Sequence, residues 1–248
     1  LMNYFGFTSA EVELPVKAIA IKDMTHSLRV NNHETKNIHY RFASLRKWGA
    51  VAGAAVIAKE FGAFRIPEAS GRQYTKYIEM RNEAYRRKAR YMTAESDDKD
   101  SYLQLFENAE SLLGQDYVGY LADETSLSAA AKIEQGFGIR RSNAQILING
   151  LRNTRWINPV FSSITTEDTP LFVPILVAGE KRDKLRGYMK KNEVFCPIHW
   201  PLSCYHMIND KERRIYQEEL SLLCDQRYGD REMFRQLELL KTFGENYA

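Results

Sequence analysis

Cysteine is scarce in this chain and is not arranged in a metal-binding pattern. The 248 residues include three cysteines, Cys196, Cys204 and Cys224. An odd number cannot pair completely within one chain, and these separations differ from those of zinc motifs. We therefore expect reduced thiols rather than a disulfide framework or a zinc site.

Long apolar runs are also lacking. No stretch approaches the roughly 20 apolar residues that cross a bilayer. The N-terminus has no basic region followed by the apolar core of a signal peptide. These absences predict a cytoplasmic protein that does not associate with a membrane.

Charge of one sign is not in large excess. The formal net charge is +3, and the dense basic cluster is Arg86-Arg87-Lys88-Ala89-Arg90. It lies in a helical pattern with aromatic residues at three- and four-residue spacings, which indicates the solvated face of a helix. We expect no nucleic-acid partner.

What is present is the composition of an ordinary soluble protein, with 44% apolar and 27% charged residues. The chain is long enough for one or two domains.

Apolar runs predict strands in the first part at Met2–Phe7, Ala18–Ile21, His39–Ala43 and Val51–Ala58. A helical region follows from about Gly71 to Leu113, and the acidic run 97–100 divides it into two helices.

The second half has its own α/β pattern. Ser126 or Ser128 is expected to cap a short helix through Ile133, and a helix follows at Arg141–Leu151. Leu171–Val177 is a predicted strand whose proline favours an edge or a bulge. The remaining predicted elements are a helix at Lys181–Lys191 ending at Asn192, strands at Val194–Cys196 and Leu220–Leu223, and a helix at Asp230–Thr242.

The run Phe42-Ala43-Ser44-Leu45-Arg46-Lys47-Trp48 carries the main chemical signal. A lysine among apolar neighbours loses hydration of its ammonium form, so its amine becomes a nucleophile that can form a Schiff base. This is how pyridoxal 5'-phosphate is anchored. Asp23 follows the apolar run 18–21, so its carboxylate is expected at the carboxyl end of a strand, where it can keep the cofactor's ring nitrogen protonated. Ser44 can donate to the phosphate.

These segments resemble those of fold type I pyridoxal-phosphate enzymes, in particular the DegT/DnrJ/EryC1/StrS group of aminotransferases. Asp23-Met24-Thr25-His26 is similar to the family's Asp-x-x-His segment, and Ser44-Leu45-Arg46-Lys47 to its Ser-x-x-Lys internal-aldimine loop. Weaker similarities are found at Arg140-Arg141-Ser142-Asn143-Ala144, Pro197-Ile198-His199-Trp200-Pro201 and Cys224-Asp225-Gln226-Arg227-Tyr228.

The resemblance implies an α/β fold with three parts. They are a partial large cofactor-binding domain with a mainly parallel sheet (1–70), linking helices (71–122) and a small C-terminal α/β domain (123–248). It implies a homodimeric transferase that moves an amino group from a small-molecule donor to a keto acceptor, such as a nucleotide sugar. Lys47 is the expected catalytic residue, and Asp23, His26, Ser44 and Lys47 the expected cofactor contacts.

Two departures from the family pattern affect this expectation. The family's glycine-rich turn after the lysine is replaced by Trp48-Gly49-Ala50-Val51-Ala52-Gly53-Ala54-Ala55, which leaves the substrate class open. The sequence also begins about one strand before Asp23, so it resembles the C-terminal portion of such an enzyme. The competing interpretation is a non-catalytic fragment that serves as a structural or interaction module.

The substrate-side residues remain open at this point. His199, flanked by prolines, suits the wall of a pocket, whereas His26 is equally consistent with a histidine at the edge of the core. Arg227 is the first candidate for binding a carboxylate, with Arg152 and Arg155 next, because a guanidinium group binds both oxygens. Each arginine is equally consistent with a structural ion pair.

The Ser-x-x-Lys spacing also occurs in serine β-lactamases and penicillin-binding proteins. Those enzymes additionally require a Lys-Thr-Gly-type strand. Lys241-Thr242-Phe243 lies in a helical pattern and lacks the glycine, so the sequence does not favour this class.

Overall fold

The structure, a computed structural model, describes residues 1–8, 13–15, 17–29, 38–62, 64, 73–113, 120–178, 180–199 and 202–247. They belong to two compact units. The first unit contains the described residues of 1, 14–25 and 36–134, and the second those of 2–13, 26–35 and 135–248. Among the described residues no helix is both long and apolar enough to cross a membrane.

The described residues of the first unit form a three-stranded sheet, a 3-10 helix and three α-helices. Its strands are β1 (Ala20–Asp23), β2 (Ile38–Ser44) and β3 (Ala55–Lys59). β1 pairs with β2 in parallel, and β2 pairs with β3 antiparallel. A 3-10 helix at Leu45–Lys47 follows β2, and the α-helices are α1 (Thr75–Met92), α2 (Lys99–Leu113) and α3 (Glu124–Ala130).

The predicted break between two helices is confirmed, because α1 ends at Met92 and α2 begins at Lys99. The predicted cap of α3 is wrong. Asp123 caps this helix, and its Oδ1 accepts a hydrogen bond of 3.0 Å from the backbone N–H of Ser126. Aspartate is as good an N-cap as serine, and it stands where the chain is still extended.

The second unit has an antiparallel sheet of β4 (Ile157–Pro159), β5 (Phe172–Val177) and β6 (Glu219–Leu223), with β5 in the centre. Its helices are α4 (Phe137–Leu151), α5 (Arg182–Lys191), α6 (Asp210–Glu218) and α7 (Asp230–Tyr247). An apolar core includes buried side chains from α4, β5, α5, β6 and α7. Asn192 follows α5 as its C-cap, as the sequence predicts.

Three expectations about strands are wrong. The run 2–7 contains a 3-10 turn at Tyr4–Gly6, since Phe5 and Gly6 have φ angles of 60° and 85°, which no strand contains. Residues 194–196 form no strand, and the third strand of the first unit covers 55–59 rather than 51–58.

The expectation that Pro174 lies in an edge strand or a bulge is also wrong, because β5 is the central strand of its sheet. Pro174 is paired with Ser221 of β6, whose N–H points the other way and donates to the carbonyl of Pro197. On the other side, the Pro174 carbonyl accepts from the N–H of Val160, the first residue after β4. The hydrogen bond that Pro174 cannot donate is therefore missing at the end of the β4–β5 pairing, where its loss costs least.

The predicted α/β fold class is confirmed. The first sheet is mixed and the second is antiparallel, and the parallel pairing expected for most of the first sheet is confined, in the described part of the chain, to β1 and β2.

Candidate cofactor site

Asp23 and Ser44 lie at the carboxyl ends of two neighbouring parallel strands. Asp23 is the last residue of β1 and Ser44 the last residue of β2. Asp23 is in register with Phe42, and side chains two residues apart in a strand share a face, so Asp23, Phe42 and Ser44 are on one face of the sheet. The sheet thus brings a carboxylate and a hydroxyl to one edge.

Thr25 connects these two strand ends. Its backbone N–H donates a 2.8 Å hydrogen bond to Oδ1 of Asp23, which makes an Asx turn. Its Oγ1 accepts a 3.1 Å hydrogen bond from the N–H of Ser44, and its carbonyl accepts one of 2.8 Å from Nε1 of Trp48. Three contacts of one buried residue therefore fix the turn after β1 against the loop that carries Lys47.

Lys47 occupies the last position of the 3-10 helix and is exposed. The sequence predicted a lysine held among apolar neighbours, whereas this side chain is exposed. The cause is local geometry: residues three apart in a 3-10 helix lie on the same side, and here Leu45 and Trp48 take the buried side. The third residue of the turn, Lys47, is then directed to solvent.

Arg46 holds the Lys47 loop on the helices of the same unit. Its guanidinium donates to the hydroxyl of Tyr77 at 2.9 Å and pairs with Glu110. Burial opposes the charged form of Arg46, but Tyr77 and Glu110 raise the pKa of the guanidinium above its usual value. Arg81 also pairs with Glu110, at 2.7 Å. The loop is thus tied to both α1 and α2 through a shared carboxylate.

His26 and His199 lie together in the second unit. The ring centroids of the two histidines are 6.2 Å apart, and Nδ1 of His26 accepts a 3.2 Å hydrogen bond from the N–H of Phe5. His26 is fully buried, as expected for a core histidine, and Phe172 packs against His199 at 4.7 Å. Trp200 and Pro201 of the same sequence stretch lie outside the described residues.

The guanidinium of Arg227 is bound to Asp225. Nε and Nη2 of Arg227 donate to the two carboxylate oxygens at 2.8 and 2.7 Å. Burial works against ionisation of Asp225, but the hydrogen bonds from Arg227 prevail and lower the pKa of this carboxyl below its usual value. The fork expected to bind a substrate carboxylate therefore already holds a carboxylate of the protein.

Arg155 and Arg152 are exposed. Arg155 borders an open groove of 630 Å³ between the C-terminal ends of α4 and α7, together with Trp156 and Lys241. No group of three or more His, Cys, Asp and Glu side chains in the described part of the chain is placed to hold a metal ion.

The sequence analysis missed Thr25, Glu219 and Ser221 as site residues. Asp23 carries a usable signal, because an aspartate at the end of a strand favours an Asx turn to the backbone N–H two residues on, here that of Thr25. Glu219 and Ser221 are buried alternate residues of β6. No local pattern connects them to His199, which is 20 residues from Glu219 and 22 from Ser221.

Several solved structures that share this fold are aminotransferases. PseC of Helicobacter pylori, an aminotransferase involved in the biosynthesis of pseudoaminic acid, matches with a TM-score of 0.59 and 12% identity over 92% of this chain and 60% of its own. Spr1654 of Streptococcus pneumoniae, a candidate sugar aminotransferase in its PLP form, matches with 0.59 and 14% over 92% and 58%. A DegT DnrJ EryC1 StrS aminotransferase from Brucella abortus matches with 0.53 and 11% over 90% and 57%.

The chain therefore has the fold of the pyridoxal-phosphate-dependent aminotransferases of the DegT/DnrJ/EryC1/StrS type, which confirms, at the level of the fold, the resemblance seen in its motifs. It spans less than two thirds of the length of these structures. No family model matches the sequence, and no curated protein matches it either.

Proposed function

We propose that this chain is part of a pyridoxal-phosphate-dependent aminotransferase in which Lys47 attaches the cofactor. The supporting observation is the Thr25 turn, which ties Asp23 at the end of β1 to the loop that carries Ser44 and Lys47. Two segments separated by about twenty residues are thereby joined at the carboxyl edge of parallel strands, which is where open α/β sheets bind ligands.

The side chains at this edge fit the cofactor chemically. A carboxylate suits a protonated pyridine nitrogen, a hydroxyl and backbone N–H groups suit a phosphate, and a primary amine can condense with a carbonyl. When bound, pyridoxal phosphate supplies an electron sink for the bonds at the amino-bearing carbon. Asp23, Ser44 and Lys47 would hold it, and we retain His26 as a further contact.

Each residue has a defined task in this proposal. Asp23 keeps the ring nitrogen protonated, and the Asx turn through Thr25 fixes the direction of its carboxylate. The Nζ atom of Lys47 would act as the general base toward the α-proton of the amino donor in the first half-reaction, and as the general acid toward the acceptor carbon in the second. On the substrate side we propose His199, Arg155 and Arg227. Because Arg227 already pairs with Asp225, it would bind a substrate carboxylate either beside Asp225 or after Asp225 has released it.

We propose a nucleotide sugar or a related keto compound as the amino-group acceptor and a small amino compound as the donor. The support is the fold shared with PseC and with Spr1654, whose descriptions refer to pseudoaminic acid biosynthesis and to a sugar aminotransferase. A homodimer, a cytoplasmic location and the division at residues 70 and 122 belong to the same proposal.

One observation favours the alternative of a non-catalytic fragment. Ile21, Phe42 and Ile57 are exposed apolar residues on the sheet face that also carries Asp23. Such a face is normally covered. A chain that leaves it open, and that leaves Lys47 in solvent, need not bind the cofactor by itself.

Cofactor labelling distinguishes the two functions. The purified chain is mixed with pyridoxal phosphate, its visible spectrum is recorded, and borohydride then fixes the cofactor on the lysine that holds it. The labelled peptide is identified by mass spectrometry. We expect one dominant label on Lys47, and loss of the visible band in Lys47→Arg.

Lys59→Arg is the matched control, because Lys59 is an exposed lysine of β3 in the same unit. It should keep both the band and the Lys47 label. Label distributed over many surface lysines, with equal spectra for both variants, would reject the aminotransferase proposal for this chain and support the alternative.

A further inference from the structure

The second unit contains a buried carboxylate that belongs to neither cofactor segment. Glu219, the first residue of β6, is 2% exposed. Its Oε1 accepts a 2.6 Å hydrogen bond from Oγ of Ser221, and its Oε2 accepts one of 2.8 Å from the N–H of His199. Oγ of Ser221 is also 3.0 Å from Nδ1 of His199. We call these three residues the Glu219 network.

The number of protons in the Glu219 network determines the state of the imidazole. A serine hydroxyl has one hydrogen and donates it once. When Ser221 donates to an ionised Glu219, Nδ1 of His199 must donate to Ser221. When Glu219 is protonated and donates to Ser221, the serine hydrogen points to Nδ1, and the imidazole proton is on Nε2. The tautomer of His199 therefore reports on the charge of Glu219.

The hydrogen-bond geometry around Glu219 fits a carboxylate that accepts from both of its neighbours. Its two oxygens each accept a hydrogen bond, and the 2.6 Å contact has the length of a hydroxyl donating to a carboxylate. Arg182 lies close by, with its guanidinium donating to the backbone carbonyl of Glu219 at 3.3 Å. Burial has the largest effect and raises the pKa of Glu219 above its usual value, although Ser221, the His199 N–H and Arg182 act in the opposite direction.

Aromatic side chains hold the ring of His199 in one plane. Phe172 packs against it at a centroid distance of 4.7 Å, and Phe5 meets it edge-on at 5.7 Å. Rotation of the ring would break both the packing and the contact of Nδ1 with Ser221. The network thus acts on an imidazole whose orientation is already set.

We propose that Glu219 and Ser221 are positioning residues that keep the imidazole proton of His199 on Nδ1. In the neutral ring the lone pair is then on Nε2, which makes this atom a hydrogen-bond acceptor. If His199 lies on the substrate side, a role that rests on the proposed function, it selects a ligand that donates a hydrogen bond, such as a sugar hydroxyl.

Nitrogen NMR tests the tautomer without any cofactor or substrate. The chain is labelled with 15N-histidine, and multiple-bond proton–nitrogen correlations are recorded at neutral pH, since their pattern differs between the two tautomers. His199 is assigned by the loss of its signals in His199→Gln. We expect the Nδ1–H pattern; an Nε2–H pattern, or an average of the two, would overturn the proposal.

Two variants test the roles of the neighbours. In Glu219→Gln the His199 N–H retains the amide oxygen, so the amide NH2 faces Ser221 and donates to it. The serine hydrogen then points to Nδ1, and we expect the Nε2–H pattern. Ser221→Ala removes the hydroxyl that connects Glu219 with Nδ1 of His199, so the imidazole proton should no longer prefer Nδ1. An unchanged Nδ1–H pattern in both variants would show that Glu219 and Ser221 do not position the ring.

His206 is an internal control in the same spectra. It is an exposed histidine of the second unit, 3.4 Å from the hydroxyl of Tyr216, and does not take part in the network. Its pattern should be the same in wild type and both variants. Since these spectra require no cofactor, they can support the network even when cofactor labelling fails.

Discussion

The indole Nε1 of Trp48 donates a 2.8 Å hydrogen bond to the backbone carbonyl of Thr25. Trp48 is 1% exposed, and it directly follows Lys47. The residue after the candidate lysine therefore reaches back to the turn that fixes Asp23. This contact connects stability of the first unit with the geometry of the proposed cofactor site.

Trp48→Phe should lower the stability of the first unit and weaken cofactor attachment at Lys47. The substitution leaves a small cavity and a buried carbonyl without its donor, so we expect a loss of about 1–3 kcal/mol in the free energy of unfolding. Urea unfolding measures this loss, and borohydride labelling should show less cofactor on Lys47. Trp156→Phe, in the second unit, is the control and should not change the labelling. Equal labelling of wild type and Trp48→Phe would contradict the proposed link.

Gly6→Ala should be strongly destabilising. Gly6 has a φ of +85°, and a Cβ there would lie 1.8 Å from the backbone oxygen of Thr169. The backbone must move to accommodate it, and we expect a loss of more than about 3 kcal/mol, detected by thermal or urea unfolding. Gly187→Ala is the matched control. Nothing lies within 4 Å of a Cβ at this position inside α5, so alanine should stabilise by up to about 1 kcal/mol.

The Asp225–Arg227 pair should make stability pH-dependent. Because the folded pKa of Asp225 is lowered, the unfolded state binds more protons as the pH falls below the ordinary value of 3.8. The contribution of the pair is complete above that value and is lost as the pH falls through the folded pKa. Asp225→Asn should therefore lower the free energy of unfolding near neutral pH by about 1 kcal/mol, a small figure because Arg227 is half-exposed.

The difference between wild type and Asp225→Asn should narrow in acid. Urea unfolding at a series of pH values measures it. Asp183→Asn is a suitable control, because Asp183 pairs with Arg182 on the surface and is well exposed. A constant difference down to strongly acidic pH would show that the ion pair does not account for the effect of the substitution.

The three cysteines should react at very different rates. Cys196 and Cys224 are buried, and burial raises the pKa of each thiol to about 12, whereas Cys204 is exposed. Since the thiolate is the reactive form, a thiol reagent should modify Cys204 rapidly in the folded chain, and the other two only after unfolding. Cys204→Ser should abolish the fast phase. Rapid reaction of two or three thiols in the native protein would contradict this burial.

Periodicity predicted the regular parts of the chain well. The helices α1 and α2, the break between them and the end of α5 at Asn192 follow from apolar spacing and capping preferences, which are local. The place of Asp23 at the end of β1 was also predictable, because a polar residue after an apolar run marks a strand end. The α/β class follows from the order of such elements.

Features decided by tertiary contacts were not predictable. Gly6 reverses a run that looks like a strand, because its backbone packs against Thr169. Lys47 was expected among apolar side chains, but Leu45 and Trp48 occupy the buried side of its turn.

The helix α6 was overlooked although a local signal existed. Asn209 and Glu212 form a reciprocal capping box, and the Asn-x-x-Glu pattern is visible in the sequence.

Pro174 gives the second sheet a way to reject misaligned pairings. A strand slip of one residue would turn the ring nitrogen of Pro174 toward β6, where the partner carbonyl requires a donor, and would cost a hydrogen bond in the middle of the sheet. In the native pairing the same nitrogen meets only the end of β4. The proline therefore destabilises shifted pairings of β5 relative to the native register while the sheet assembles.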